Sequence, residues 1–148
     1  MSILDYPPTS RFEAWRSFRK TLHGDLTDLD HLRMTAEYWA KCPTVGYYID
    51  WDDPPKWPAP WELIYEGQLC PSGIALCIFH TLLYSEDRRW NDRLKLHLIK
   101  DASRGIFLVV GVDDEYFLSY TGYIGNEIKS ECVIQNYIFI AGKYQVVT

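Results

Sequence analysis

The sequence predicts an α+β domain in which N-terminal helices pack on one face of an antiparallel β-sheet. Apolar residues recur at three- and four-residue steps as far as about Tyr84, which is the period of amphipathic helices. Beyond Ser85 the pattern changes to alternating and continuous apolar runs, which are typical of strands. The segments Asp113-Asp114 and Ala141-Gly142-Lys143 interrupt these runs with residues that favour hairpin turns.

Two helices are expected in the first 44 residues. Ser10 followed by Glu13 fits a capping box, which predicts helix one from Arg11 to about Leu22, and Gly24 ends it. Its buried face would carry Phe12, Trp15, Phe18 and Leu22.

A second helix is predicted from Asp28 to Ala40, because Thr27 and Asp30 form a weaker start signal and Pro43 follows. The two helices would form an antiparallel hairpin. Val45 to Trp51 alternates weakly and is rich in Tyr and Ile, so a short strand is expected there.

The segment from Asp52 to Pro60 contains four prolines and predicts a stiff, extended connector. Trp57 and Trp61 give this connector apolar surface to bury. Pro60 favours the start of a short helix from Trp61 to Glu66, which Gly67 would close.

Five strands are predicted beyond Ser85. They are Leu94 to Ile99, Ile106 to Val112, Tyr116 to Tyr120, Cys132 to Ile140 and Tyr144 to Val147. Thr121 to Lys129 holds two glycines and an asparagine and predicts a loop. We therefore expect a single domain over residues 1–148, with a helical hairpin (1–44), the connector and central helix (45–84) and antiparallel strands (85–148).

Composition excludes several classes of function. The net charge is −5 and no run of Lys and Arg occurs, so nucleic acid is not an expected partner. No apolar stretch reaches the length of a membrane span, and the N-terminal residues lack an export signal, which predicts the cytoplasm in which the chain is made, or a particle assembled there, as the location. Aromatic residues make up 16% of the chain, which favours a protein-binding role.

No cofactor or metal motif is present. The cysteines Cys42, Cys70, Cys77 and Cys132 match no zinc-binding spacing, and the histidines His23, His31, His80 and His97 are equally scattered. We expect four reduced thiols and no cofactor.

Cys70 is the residue to which chemistry would most readily be assigned. It directly precedes Pro71, and the apolar spacing that follows predicts a buried helix ending near Tyr84. A thiol at the head of a helix faces the positive end of the helix dipole, which favours the thiolate. The alternative is a structural role, since free cysteine is among the most buried residue types.

The stretch from Trp57 to Cys77, W-P-A-P-W-E-L-I-Y-E-G-Q-L-C-P-S-G-I-A-L-C, followed by strands, resembles the transglutaminase-like cysteine peptidases. That resemblance implies a papain-like core with Cys70 as nucleophile, a histidine at the start of a following strand and an aspartate or asparagine on the next. The residues around Cys70 depart from the family's box, whose acidic pair they lack.

The sequence also resembles small proteins of unassigned activity from tailed bacteriophages. The shared segments are Tyr38-Trp39, Asp50-Trp51 and Trp57 to Leu63, in that order. This second resemblance implies a phage particle as the context and implies no chemistry.

The triad that the first resemblance implies is incomplete. The strand beginning at Gly105 has no histidine, and Ser119 stands near the aspartate position, where it cannot hold an imidazolium as a carboxylate does. His97 is the nearest substitute base, one strand too early. His80 follows Cys70 by ten residues on the same helix, roughly 15 Å along its axis.

We therefore expect a non-catalytic structural or interaction module, a pseudoenzyme built on a transglutaminase-like fold, with other proteins as partners. Its contact surface would include Trp51, Trp57 and Trp61, although these rings could simply cover the seam between helices and sheet. The alternative is an active cysteine hydrolase or amidase with Cys70 as nucleophile and His97 as base. A small inhibitor or host-takeover factor is a third possibility, and it too would be a binding protein.

Overall fold

A computed structural model of the chain describes residues 2–46, 53–122, 124–126, 128 and 132–147. The helices are α1 (Pro8–Thr21), α2 (Asp28–Ala40), α3 (Pro60–Glu66) and α4 (Pro71–Leu83). The strands are β1 (Leu94–Asp101), β2 (Gly105–Val112), β3 (Tyr116–Leu118), β4 (Ile124–Gly125), β5 (Val133–Ile140) and β6 (Lys143–Val147). The predicted α+β class, with helices first and an antiparallel sheet afterwards, is confirmed.

The strands form one antiparallel sheet in the order β4-β3-β2-β1-β5-β6. Strand β1 lies at the centre, where Leu96 is opposite Val110 of β2 on one side and Tyr137 of β5 on the other. These three side chains are buried in the same core as α4. Because neighbouring residues of a strand point to opposite faces, their register defines the helix-facing side of the sheet.

Helix α4 occupies the middle of the molecule. The ten residues of α4 from Gly73 to Leu82 are all buried. The helix packs on strands β2 and β1 of the sheet and on helices α2 and α3. A helix that is apolar all round is stable only when it is enclosed on every side, which explains its position.

The helical layer is tied to α4 through one polar side chain. The indole N–H groups of Trp15 in α1 and Trp39 in α2 donate to Thr81 Oγ1 at 2.9 and 3.0 Å, and Thr81 donates to the carbonyl of Cys77. All of these side chains are buried, so three helices meet at one hydroxyl.

The helix predictions hold except at the start of α1. Helix α2 has the predicted bounds and the Thr27–Asp30 capping box, and Gly67 ends α3 with φ of 72°. The prediction that Ser10 caps α1 is wrong, because α1 begins at Pro8. Proline has no backbone N–H, and it fits the first turn of a helix, where an N–H would have no intrahelical acceptor. Phe12 is 38% exposed and does not belong to the buried face expected for α1.

The strand predictions are mostly confirmed, and Asp113 and Asp114 form the expected tight turn with φ of 57° and 55°. The predicted third strand stops at Leu118, and the predicted loop from Thr121 contains the two-residue strand β4. For the expected strand from Val45 to Trp51, residues 47–52 lie outside the described residues. Before them, Thr44 forms a parallel bridge with Leu69.

Candidate functional site

Cys70 is the N-cap residue of α4 and is 1% exposed. Its Sγ accepts a hydrogen bond from the backbone N–H of Gly73 at 3.4 Å, a role that serine or aspartate more often fills. The start of α4 is fixed to the sheet because Leu108 N–H donates to Ser72 Oγ at 3.1 Å. The predicted position of Cys70 at the head of the central helix is therefore observed.

Among the described residues, the Gly73 N–H is the one hydrogen-bond partner of the Cys70 sulfur. Leu69 and Leu63 approach Gly73 closely, and they line this end of the helix with methyl groups. Thiol catalysis needs a base that generates the thiolate and a third group that orients the base. Neither is present beside Cys70 in the part of the chain that the structure describes.

His97, the substitute base considered from the sequence, lies on the other face of the sheet. Its neighbours Leu96 and Leu98 belong to the core around α4, so the His97 side chain points away from that core. Its Nδ1 is 2.6 Å from Asn136 Oδ1. The structure thus does not bring Cys70 and His97 together.

The environment of His97 is that of a buried structural residue. Burial lowers its pKa, and the hydrogen bond with Asn136 partly offsets that effect. Its Nε2 has no hydrogen-bond partner in the described part of the chain, and its ring lies directly on the backbone of Gly111, where a Cβ would overlap it. A side chain at position 111 would therefore displace the ring.

His80 lies at the opposite end of α4 from Cys70, as its sequence position predicts. Its Nε2 is 2.7 Å from the hydroxyl of Tyr144, and burial lowers its pKa to about 4. Both ring nitrogens of His31 also form hydrogen bonds with other residues. Its Nε2 donates to the carbonyl of His23, and its Nδ1 accepts from the indole N–H of Trp90.

The other groups considered for a triad have local roles. Ser119 Oγ is 2.8 Å from the hydroxyl of Thr121. Asp113 and Asp114, interpreted from sequence as turn residues, pair with Arg93 and Lys95 at 2.6 and 3.0 Å. These carboxylates stabilise the β2–β3 turn.

The three tryptophans proposed as contacts have different environments. Trp51 lies outside the described residues. Trp57 is only 6% exposed and packs against Tyr137 and Tyr144 with ring centroids 5.0 Å apart in each case, an environment that favours the alternative in which this ring covers the seam between helices and sheet. Trp61 is 54% exposed.

Two further aromatic residues extend the surface around Trp61, and the sequence reasoning missed both. Tyr65 is 51% exposed and lies one turn after Trp61 on α3; Phe12 of α1 stacks on Tyr65 at 6.2 Å. We call Phe12, Trp61 and Tyr65 the aromatic row. The four-residue spacing of Trp61 and Tyr65 is the signal that could have revealed it, because such residues share one face of a helix.

Neither a metal centre nor a membrane helix is found in the described ranges. No group of three or more His, Cys, Asp or Glu side chains there could hold a metal ion. None of the helices that the structure describes combines the length and the hydropathy that crossing a bilayer requires.

Comparison with known proteins gives structural matches without sequence matches. No protein-family model matches the chain, and no curated protein matches it. Legionella pneumophila LapG superposes with a TM-score of 0.70 at 15% identity, over 93% of this chain and 83% of LapG. Its calcium-bound form gives a TM-score of 0.72 at 14% identity, over 99% and 88%. LapG has a transglutaminase-like fold, and this chain has the same fold.

Proposed function

We propose that this protein is a non-catalytic interaction module built on a transglutaminase-like fold. The observation that carries the proposal is the environment of Cys70, whose sulfur accepts a backbone N–H and has no imidazole or carboxylate beside it among the described residues. The fold places a thiol at the start of the central helix, but without a base that thiol cannot be activated for nucleophilic catalysis.

The alternative is a hydrolase that uses Cys70 and His97. It would require an imidazole on the far face of the sheet to reach a thiol buried on the helix face. The hydrogen bond from His97 to Asn136 and the buried ring on Gly111 oppose such a movement. We therefore favour the interaction role.

The aromatic row is the proposed contact surface. Each of its three rings is more than a third exposed; Phe12 of α1 stacks on Tyr65, and Trp61 lies one turn before Tyr65 on α3. Exposed tryptophan and tyrosine side chains contribute a disproportionate share of the binding energy in protein interfaces. Trp61 therefore replaces Trp57 as the central anchor of the proposal.

The sequence resemblance to tailed-phage proteins supports a phage particle as the assembly in which the module acts. The chain would then reside in the host cytoplasm before assembly and in the virion afterwards. Mass spectrometry of purified particles tests this context, because a structural component stays with the particle through purification and an early host-directed factor does not.

Site-specific photo-crosslinking tests the contact surface. A photoreactive p-benzoylphenylalanine at position 65 should give one discrete crosslinked protein in cells that make this chain. The same group at Ile134, which is 42% exposed and belongs to the sheet, should not.

Two substitutions decide whether the crosslink reports the proposed surface. Trp61→Ala should abolish the crosslink at position 65, whereas Val146→Ala, at a site that is 57% exposed, should leave it intact. Cys70→Ala should also leave it intact. A crosslink that survives Trp61→Ala, or that requires the Cys70 thiol, would contradict the proposal.

A further inference from the structure

A second site lies at the other end of α4, beneath the proline connector. A cavity of about 530 Å³ opens there, within the range of roughly 300–1,000 Å³ that small-molecule sites occupy. Its walls include the aromatic rings Trp57, Trp61, Tyr84, Phe139 and Tyr144. Prolines of the connector form another part of the wall and keep it stiff, because their φ angles are fixed.

One built polar group lies in this apolar wall. His80 is 2% exposed, and its hydrogen bond joins Nε2 to the Tyr144 hydroxyl, while Nδ1 has no partner among the described residues. A neutral imidazole carries one proton, and an unpartnered buried N–H costs more than an unpartnered lone pair. The proton therefore belongs on Nε2, where it is donated to Tyr144.

This assignment leaves the hydroxyl hydrogen of Tyr144 available to a ligand. The tyrosine accepts from His80 and can donate to an acceptor group in the cavity, and the first bond strengthens the second. A carbonyl or carboxylate oxygen is the complementary group.

Of the described residues that line the cavity, Lys143 carries the one positive charge and Glu62 the one negative charge. Lys143 lines the cavity next to Tyr144 and forms no ion pair with another described residue. The guanidinium of Arg88 lies 6.0 Å from the ring of Tyr84, which forms part of the wall. Arg88 adds a second cation behind that wall, whereas the carbonyl end of α4 acts in the opposite sense.

We propose that this cavity binds a small aromatic carboxylic acid. Its ring would lie among the aromatic walls, and its carboxylate would accept a hydrogen bond from Tyr144 and pair with Lys143. Ring faces supply contact area, and the two donors supply orientation, which is the usual division of roles in a small-molecule site.

Three matched probes test the ligand class: 3-phenylpropanoate, its neutral amide and 3-phenylpropylamine, each titrated by calorimetry with the full chain. The carboxylate should bind at least about tenfold more tightly than the amide, since charge-assisted hydrogen bonds are the stronger ones. The amine is the critical comparison, because Glu62 and the carbonyl end of α4 would favour it. Equal or tighter binding of the amine or amide would overturn the proposal, as would no binding of the carboxylate at millimolar concentration.

Variants locate the binding. Lys143→Gln, at an exposed position, and Tyr144→Phe should each weaken 3-phenylpropanoate binding about tenfold. Lys100→Gln makes the same charge change at an exposed position near the end of β1 and should have no effect. If Lys143→Gln and Tyr144→Phe bind as the unmodified protein does, while circular dichroism shows both folded, the acid is not bound here. This measurement needs no protein partner, so its failure would leave the interaction role unaffected.

Discussion

At the scale of single residues, Thr81 shows how one side chain can hold a helical layer together. Its hydroxyl accepts two indole N–H groups, from Trp15 and Trp39, at a site with no solvent access. Tryptophan in a core needs such an acceptor, because its N–H loses water on burial. Thr81 provides it from the centre of α4.

Thr81→Val keeps the shape of the side chain and removes the acceptor. Two buried donors would then be unsatisfied, and we expect the free energy of unfolding to fall by about 3 kcal/mol. Thr81→Ser keeps the hydroxyl and loses a methyl group, which should cost about 1 kcal/mol. Urea denaturation measures both, and similar losses in the two variants would show that the indole hydrogen bonds contribute little.

The buried imidazole of His80 predicts a dependence of stability on pH. Its pKa is lowered to about 4 by burial, so between pH 6.5 and 4 the unfolded chain binds a proton that the folded chain does not. The free energy that the neutral His80 contributes to folding is therefore fully present above pH 6.5 and is lost as the pH falls towards 4. Between pH 7 and pH 5 the loss should be about 2 kcal/mol.

His80→Gln separates this effect from other titrations. The variant should lose about 2 kcal/mol less than the unmodified protein over the same pH interval, as measured by urea denaturation. The lowered pKa of His97 acts in the same direction in both proteins and cancels. Parallel pH profiles would contradict the assignment of the effect to His80.

At the scale of elements, α3 depends on a side chain from α1. Arg11 donates to the carbonyls of Ile64 and Tyr65 at 3.2 and 2.8 Å, and to those of Leu4 and Tyr6. The guanidinium therefore caps the end of α3 and fixes the N-terminal turn to it. A seven-residue helix gains much of its order from such contacts, since its own hydrogen bonds are few.

Arg11→Met should release the end of α3 and lower the free energy of unfolding by about 2 kcal/mol, because several charge-assisted bonds are lost together. Amide hydrogens of α3 should exchange faster than those of α2 in this variant. Arg16→Met, at an exposed position of the same helix, should change neither measurement. Uniformly faster exchange across the chain would show a global loss of stability without a specific effect on α3.

The elements that sequence predicted best are those with a local signal. Helix α2 has the predicted bounds because Thr27 and Asp30 satisfy each other's backbone donors at its start. The start of α1 is harder to predict because two helix-start signals overlap: Pro8 at the first turn, and the Ser10–Glu13 capping motif just after it. The helix begins at the first of them, Pro8. Strand β4 has two residues and is held by its pairing with β3, so no local pattern marks it.

At the scale of the whole molecule, the site depended on which face of the sheet each residue occupies. The sequence predicted Cys70 at the head of the central helix and the absence of a histidine from β2. It could not decide the face of His97, because β1 and β2 carry apolar residues on both faces, Ile99 and Val109 among them. Only the packing of α4 on the leucines of β1 settles the separation of His97 from Cys70.

The central claim is that the Cys70 thiol has no base beside it in the part of the chain that the structure describes, and site-resolved labelling with iodoacetamide at pH 6 tests it most directly. The half-buried Cys132 serves as the internal reference, and the urea-unfolded chain gives the intrinsic rate of each thiol. We predict that Cys70 reacts at least about tenfold more slowly in the folded protein than in the unfolded chain, because its sulfur is buried and has no imidazole beside it among the described residues. Faster labelling of Cys70 in the folded protein, as an imidazole-paired thiolate would give, would contradict the account.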